Sequence, residues 1–231
     1  MKVGELQMEN ARTQRNPAGA HWTRTVPERA RPVYEFAKRA MDIVLSAIAL
    51  IVLWPLMLGV AAAIRLDSRG KAIYKQARLG RGEKPFVMYK FRSMVQNADE
   101  LQDTLRPLNE CDGPVFKITD DPRLTRVGAF IRKTSIDELP QLLNILKGEM
   151  SIVGPRPPLP EEAAQYTDRE KRRLTVKPGL TCYWQISGRS DLPFQRWIEL
   201  DLQYIEQRGL ARDIVIILKT IPVVFGCKGA Y

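Results

Sequence analysis

The sequence has 231 residues, of which 45% are apolar, and a formal net charge of +10 at pH 7. This length suits one domain with a tail, and the basic balance predicts a polyanionic partner: nucleic acid, an anionic membrane surface or phosphorylated ligands. The single histidine, His21, excludes Ser–His and Cys–His catalytic pairs and multi-histidine metal sites, and three cysteines without paired spacing argue against structural zinc or a disulfide framework.

The first 33 residues are predicted to form a flexible basic tail, separate from a domain over 34–231. The tail is rich in arginine and proline and poor in apolar residues. It is not typical of a signal peptide, because the apolar run comes late and has no small-residue cleavage site after it.

An apolar segment at 43–64 carries no charge and is long enough to cross a bilayer, which takes about 20 residues. We expect a membrane helix over about 41–65. Pro55 lies near its middle, where proline removes a hydrogen bond and kinks a helix. Basic residues flank both ends, and short basic segments favour the cytoplasmic side. The flanks favour a re-entrant helix that turns at Pro55 and leaves by the same face; an ordinary kinked span is the alternative.

The remainder is predicted to be an α+β domain, predominantly helical, with a small β-hairpin and interfacial amphipathic helices. The hairpin strands are expected at 72–77 and 85–89, with Gly80 and Gly82 as turn signals. Helices are expected over about 93–105, 160–174, 194–208 and 212–225. A further helix is expected to begin near Ile136, with Thr134 or Ser135 as its N-terminal cap. The proline-rich stretch 154–160 is not regular structure. The last helix packs in the core or lies in the membrane interface.

An acidic pair, Asp137 and Glu138, stands out as the candidate for chemistry. Acidic residues at a helix start are common, because they favour the helix dipole. Here, however, several cationic residues occur in the same domain, and arginine matches phosphate oxygens in two-pronged fashion. The candidate phosphate-binding residues are Lys90, Arg92, Arg132, Pro155, Arg156, Pro157 and Arg189. This set suits phosphoryl transfer, in which one carboxylate attacks phosphorus and the other holds Mg²⁺.

From about Lys38 to the C-terminus the sequence carries an ordered series of motifs. They are KRAMDIVLS, QARLGRGEKPFVMYKFRSM, DPRLTRVGAFIRKTSIDELPQLLNILKGEMSIVGPRPP, VKPGLTCYWQISGR, D-x-x-Y at 201–204 and the terminal GAY. In these the chain resembles the bacterial polyprenyl-phosphate phosphoglycosyl transferases of the monotopic kind, and its short N-terminus resembles the members that initiate exopolysaccharides. Whether Asp201 and Tyr204 are functional or structural stays open at this point.

The resemblance implies a mechanism and a location. The aspartate of an Asp-Glu dyad, which falls on Asp137 and Glu138, attacks the β-phosphate of a UDP-sugar, releases UMP and forms a phosphosugar-enzyme intermediate. Undecaprenyl phosphate then takes the sugar phosphate. Both dyad residues contribute to a Mg²⁺ site, at the cytoplasmic face of the bacterial inner membrane. Glucose and galactose are the leading sugars, and the residues do not discriminate between them. The membrane helix and the basic interface are compatible with a homodimer, although no residue pattern proves one.

Two positions depart from the family pattern. The helix break is Trp54-Pro55, without the usual serine, and Cys182 stands where the family has glycine. If that position required a positive φ or a close backbone approach, cysteine would strain it. The competing classes are a membrane-anchored nucleic-acid-binding protein and a non-catalytic scaffold. Basic residues are spread along the chain and no nucleic-acid-binding motif is present, so no nucleic-acid partner is predicted.

Overall fold

The protein, described by a computed structural model over residues 31–188 and 192–226, is a mostly helical α+β structure with small sheets. The helices, in chain order, are α1 (Pro32–Asp67), α2 (Gln102–Leu105), α3 (Arg126–Lys133), α4 (Gln141–Lys147), α5 (Pro160–Ala164), α6 (Asp168–Lys171), α7 (Tyr183–Ile186), α8 (Phe194–Gln207) and α9 (Leu210–Gly226). Short 3-10 helices occupy Arg81–Glu83, Arg106–Leu108, Ile136–Glu138 and Arg172–Thr175. The strands are β1 (Ile73–Leu79), β2 (Pro85–Phe91), β3 (Ser151–Val153) and β4 (Gly179–Thr181).

Helix α1 contains the predicted membrane segment. It is 36 residues long and stays helical on both sides of Pro55. Its most apolar window has a mean hydropathy of 2.6 and is only 11% buried, so by length and composition α1 is able to cross a membrane. Large apolar side chains such as Ile51, Val52 and Trp54 are exposed along its middle.

The N-terminal half of α1 is held to the globular part by polar contacts. Arg39 donates hydrogen bonds to the carbonyls of Ile145 (2.6 Å) and Leu146 (2.7 Å), at the C-terminus of α4. The Asp42 carboxylate accepts hydrogen bonds from the Ser151 hydroxyl (3.1 Å) and the Ile152 amide (3.0 Å). This end of α1 is therefore fixed to α4 and β3.

The C-terminal end of α1 packs against the same globular part. Val60 and Ile64 are buried in a cluster with Phe91 and Ile131. The Asp67 carboxylate accepts a hydrogen bond from the Val127 amide at 3.0 Å, at the start of α3. Both ends of α1 therefore lie against one body, while its middle is exposed.

The predicted hairpin is confirmed. Strands β1 and β2 pair antiparallel, from Ile73 opposite Phe91 to Leu79 opposite Pro85, and so extend slightly beyond the predicted bounds. The turn includes Gly82 at φ 66°, a left-handed conformation that glycine adopts without strain.

A second sheet pairs β3 and β4 in parallel, with Ser151 opposite Gly179 and Val153 opposite Thr181. The backbone approach beyond it is very close, because a Cβ on Gly179 would lie 2.0 Å from the Gly154 nitrogen. This contact fixes the start of the 154–160 segment, which is irregular as predicted.

The principal core lies where α7, α8 and α9 meet. Trp184 and Trp197 stack with ring centroids 4.7 Å apart, and Ile198 and Ile216 are fully buried. The predicted helices at 194–208 and 212–225 are confirmed as α8 and α9. Helix α9 buries one face in the core and leaves Leu218 and other apolar side chains exposed on the other.

Two helix predictions were wrong in extent. Over 93–105 only Gln102–Leu105 is α-helical, because the backbone of Ser93 and Val95 is hydrogen bonded to residues 123–125. The helix predicted over 160–174 is broken, since Thr167 caps a new helix through a reciprocal bond with Glu170.

Candidate active site

The acidic pair lies in a tight turn between α3 and α4. Asp137 and Glu138 belong to the 3-10 helix Ile136–Glu138, and Ser135 before it is left-handed at φ 57°. Ser135 makes no side-chain cap, and the Thr134 hydroxyl donates to the Phe130 carbonyl at 2.9 Å instead. The predicted capped helix at this point is therefore wrong. A three-residue helix has little dipole to offset, so helix stabilisation does not explain the pair.

Glu138 is bound by two cations from different elements. Its Oε1 atom lies 2.9 Å from Lys90 Nζ on β2 and 3.5 Å from an Arg156 guanidinium nitrogen. The cleft around them is lined by Met88, Lys90, Glu138, Gln141, Arg156, Pro157, Gly179, Leu180 and Gln185. Four of the predicted site residues, distant in sequence, thus meet in one cleft.

Asp137 is buried beside this cleft, with only 5% of its surface exposed. Burial raises the pKa of its carboxyl to about 6; Lys90 opposes the rise, and the charge of Glu138 adds to it. Arg132 and Arg156 also stabilise the ionised form. A carboxylate raised in this way is a stronger base and nucleophile than an ordinary aspartate, yet it is ionised at neutral pH.

We expect the Asp137 carboxyl of the metal-free protein to titrate near pH 6, well above the value of about 3.9 for ordinary aspartate. Carboxyl ¹³C NMR measures the titration, with the signal assigned by its loss in Asp137→Asn. Between about pH 4 and 6 the folded protein keeps a proton that the unfolded chain has lost, so this group's contribution to stability falls as pH rises. A midpoint near 4 would contradict the burial argument.

Two further predicted site residues, Arg132 and Pro155, lie close to the acidic pair or to Arg156. Burial lowers the pKa of the Arg132 guanidinium while Asp137 opposes the change, which places Arg132 beside the nucleophile candidate. The Pro155 carbonyl accepts a hydrogen bond from the Gly179 amide at 2.9 Å and so holds the turn that presents Arg156.

Arg92 does not join this group. Its guanidinium donates to the Ser68 carbonyl (2.8 Å) and hydroxyl (2.9 Å) and to the Arg69 carbonyl. It therefore caps the C-terminus of α1, and its expected phosphate contact stays a prediction. Arg189 lies outside the described residues.

Asp201 and Tyr204, left open by the sequence, have structural partners. Asp201 forms a buried ion pair with Arg173 at 2.5 Å, and Arg173 also reaches the Arg156 carbonyl at 3.4 Å. The Tyr204 hydroxyl donates to the Val153 carbonyl at 3.1 Å, at the end of β3. Both residues support the segment that carries Arg156.

Cys182 is accommodated without strain. Its φ of −158° is extended backbone that any residue adopts, so the expected strain is absent. The side chain is buried, and burial raises the pKa of the thiol, so Cys182 is a poor nucleophile.

Several residues around the cleft carried no sequence signal. Arg78 donates to the Pro157 carbonyl at 3.0 Å, and Arg173 supports the same turn from the other side. Gln141 and Gln185 line the cleft itself.

The donor set fits a magnesium ion that is shared with a substrate. Within the described ranges no group of three His, Cys, Asp or Glu side chains is placed to hold a metal. Mg²⁺ is commonly held by one or two carboxylates together with water and substrate phosphates, and Asp137 and Glu138 supply two adjacent carboxylates. A buried carboxylate among cations suits phosphoryl transfer.

Comparison with known proteins assigns the family. Residues 33–227 match the family described as bacterial sugar transferase, and the chain belongs to that family. This confirms the resemblance inferred from the motifs.

Three relatives illustrate the likeness. The chain is 47% identical over 195 residues to the galactosyl transferase CpsE of Streptococcus agalactiae, covering 84% of this chain and 43% of that protein. It is 46% identical over 200 residues to the undecaprenyl-phosphate galactose phosphotransferase of Salmonella typhimurium, covering 85% and 42%. It is 40% identical over 205 residues to the exopolysaccharide production protein ExoY of Rhizobium meliloti, covering 87% and 91%. The chain thus spans less than half of the first two and most of the third.

Proposed function

We propose that the protein transfers a hexose-1-phosphate from a UDP-sugar to undecaprenyl phosphate, releasing UMP and giving an undecaprenyl-diphosphate sugar. This is the first membrane step of exopolysaccharide or capsule synthesis. The observation that carries the proposal is the buried Asp137 among Lys90, Arg132 and Arg156, in a chain of the bacterial sugar transferase family. The names of the Salmonella and Rhizobium relatives point to the same reaction and process.

In the first step the Asp137 carboxylate attacks the β-phosphorus of the UDP-sugar. The bond from that phosphorus to the bridging oxygen breaks, and UMP leaves with the electron pair. Lys90 and Arg156, which neutralise Glu138 in the substrate-free protein, are placed to bind the phosphate oxygens. The product of this step is a hexose phosphate bonded to Asp137.

In the second step a phosphate oxygen of undecaprenyl phosphate attacks the same phosphorus. The bond to Asp137 breaks, and the carboxylate returns to its starting state. Asp137 and Glu138 would hold Mg²⁺, which supplies neutralisation of the diphosphate charge when bound. Each step displaces one oxygen at phosphorus, so no further co-reactant is needed.

We place the protein on the cytoplasmic face of the inner membrane, with α1 entering the bilayer, turning in the region of Pro55 and returning. The support is that Asp42 and Asp67, near opposite ends of α1, both bond to the same globular part. The exposed apolar face of α9, with Ile214, Leu218 and Ile221, is placed in the membrane interface. A homodimer stays a prediction, to be tested by mass photometry in nanodiscs.

Labelling with a membrane-impermeant thiol reagent tests this topology. With Cys111 and Cys227 replaced by serine, Val33→Cys and Leu66→Cys are both expected to react only from the cytoplasmic side. Both positions are strongly exposed, at 81% and 89%, and flank the apolar segment. Trp54→Cys is the buried-in-lipid control. Reaction of Val33→Cys and Leu66→Cys from opposite sides would show a simple span.

The groove between α1 and α3 is the proposed site of the acceptor's isoprenoid chain. It is lined by Leu56, Gly59, Val60, Ala63, Arg126, Val127, Phe130 and Ile131. The lining is apolar except for Arg126, and α3 leads from the groove to Arg132, shortly before the turn that carries Asp137. The groove therefore joins the membrane helix to the acidic pair.

Filling the groove is expected to impair acceptor use alone. A side chain at Gly59 meets no atom within 4 Å at its Cβ, so Gly59→Leu is tolerated and occupies the groove. We expect about a tenfold rise in KM for undecaprenyl phosphate. This is about the effect of losing one or two methylene-sized hydrophobic contacts between the isoprenoid chain and the groove. UMP release in the absence of acceptor stays unchanged. Ala62→Leu, exposed on the neighbouring face, is the matched control. An equal effect of both variants would contradict the placement.

The overall reaction is tested with protein in nanodiscs, Mg²⁺, undecaprenyl phosphate and a panel of UDP-sugars. Two of the three relatives carry galactose in their names, so UDP-galactose leads the panel and UDP-glucose follows. We expect UMP and a lipid diphosphate hexose, identified by mass spectrometry, from one or two sugars, and neither product after chelation of Mg²⁺. Absence of product with every sugar from folded protein would refute the proposal.

A further inference from the structure

Gln141 is a buried polar residue whose side chain has no hydrogen-bond partner among the described residues. It is the first residue of α4, has only 3% of its surface exposed and lines the cleft with Lys90, Glu138 and Arg156. Its carboxamide forms no hydrogen bond with any residue of the ranges 31–188 and 192–226. Side-chain amides of buried residues are normally hydrogen bonded to the protein, whereas the Gln141 side chain faces the cleft.

The other carboxamide on the inner side of α4 shows the contrast. Asn144 donates to the Val87 carbonyl (2.7 Å) and to Glu149 (2.7 Å), and accepts from the Tyr89 amide (3.0 Å). Asn144 therefore joins α4 to β2 and has its bonding capacity filled by the protein. Gln141, three residues earlier on the same helix, opens on to the cleft instead.

We infer that Gln141 binds the transferred phosphate, with its amide nitrogen donating a hydrogen bond to a non-bridging oxygen. The inference rests on the proposed function. For Asp137 to attack, the phosphorus must come into contact with its carboxylate, and Gln141 lines the cleft together with Glu138, the residue next to Asp137. The two carboxylates repel an anionic phosphate, so donors are needed on the oxygens that face them.

A neutral amide at this point has a specific advantage over another cation. Lys90 and Arg156 already bring two positive charges to Glu138 in this cleft. An amide adds a hydrogen-bond donor for the phosphate without adding a third charge there. Uridine is separated from the attacked phosphorus by the α-phosphate and ribose, and is therefore a more distant partner.

The test compares Gln141→Met with wild-type protein in nanodiscs, using Mg²⁺ and each UDP-sugar that the wild type accepts. Methionine keeps the shape but removes the donor. We expect acceptor-independent UMP release to slow about 100-fold, the order found when one oxyanion donor is removed. The factor is the same for every accepted sugar, and the Kd for UDP-sugar changes less than about threefold. Gln165→Met, the same change at an exposed helix end, stays at the wild-type rate.

Stability provides the second readout. Because Gln141 gives up no protein hydrogen bond, Gln141→Met is expected to keep or raise Tm while losing activity, the pattern of a residue retained for function. Three results would overturn the inference. The first is a Gln141→Met rate within twofold of the wild type, and the second is a loss that differs between sugars. The third is a fall in Tm in both Gln141→Met and Gln141→Leu. Wild-type protein that releases no UMP from any sugar would refute the proposed function itself.

Discussion

Asp137→Asn is expected to abolish transfer of the sugar phosphate while the protein still folds and inserts. The change removes the attacking oxygen but keeps the shape of the side chain. Loss of a covalent nucleophile typically costs about 10⁴-fold or more in kcat. Burial raises the pKa of Asp137, which means that the folded protein disfavours the ionised carboxylate. The neutral asparagine is therefore expected to leave Tm at pH 7 equal to or above that of the wild type.

The matched control is Asp103→Asn, the same substitution at a side chain that is 82% exposed and bridged to Arg106 within α2 and the following turn. It is expected to keep wild-type turnover. UMP release with and without undecaprenyl phosphate measures both variants, and thermal unfolding in the same detergent confirms the fold. Substantial turnover by Asp137→Asn, above about 1% of wild type, would remove the nucleophile assignment.

Arg173→Met is expected to destabilise the fold by about 3–5 kcal/mol, because it leaves a buried carboxylate without its partner. Arg173 is 5% exposed, and it bonds Asp201, the Tyr166 hydroxyl and the Arg156 carbonyl. Burial raises the pKa of Asp201 to about 6 even with the guanidinium present. Arg173 lowers the pKa of Asp201, so in the variant this carboxyl takes up its proton above pH 6, and the penalty shrinks as pH falls towards 6.

Denaturant titration in detergent micelles measures this effect against two further variants. Arg172→Met, at a neighbouring side chain that is 49% exposed, is expected to cost less than about 1 kcal/mol. Arg173→Met combined with Asp201→Leu removes both buried charges and is expected to recover most of the lost stability. A double variant as unstable as the sum of the single changes would show that the two residues act independently.

The features that the sequence predicted well are those set by local pattern. The hairpin follows from two short strand-like segments around a glycine turn, and α9 follows from a segment rich in Ile, Val and Leu. The apolar segment of α1 needed only composition. The acidic pair gained its meaning from the family motifs, because adjacent carboxylates alone are also common at helix starts.

The features that were missed depend on contacts between distant segments. Nothing local shows that Ser93 and Val95 pair with residues 123–125, which prevents the helix expected over 93–105. Lys90 lies within β2 and faces Glu138, whereas Arg92 follows the end of that strand and bonds to the C-terminus of α1. The short spacing between the two residues did not show this difference. The unbonded state of Gln141 becomes visible only when every partner around it is known.

The most direct test of the central claim is the intact mass of the protein after incubation with Mg²⁺ and an accepted UDP-sugar, without undecaprenyl phosphate. A covalent hexose phosphate on Asp137 is predicted, formed with about one UMP per active chain, absent in Asp137→Asn and lost on addition of the lipid acceptor. Formation of lipid product by the wild type with no adduct and no acceptor-independent UMP would show direct transfer between the substrates, and would contradict the role assigned to Asp137.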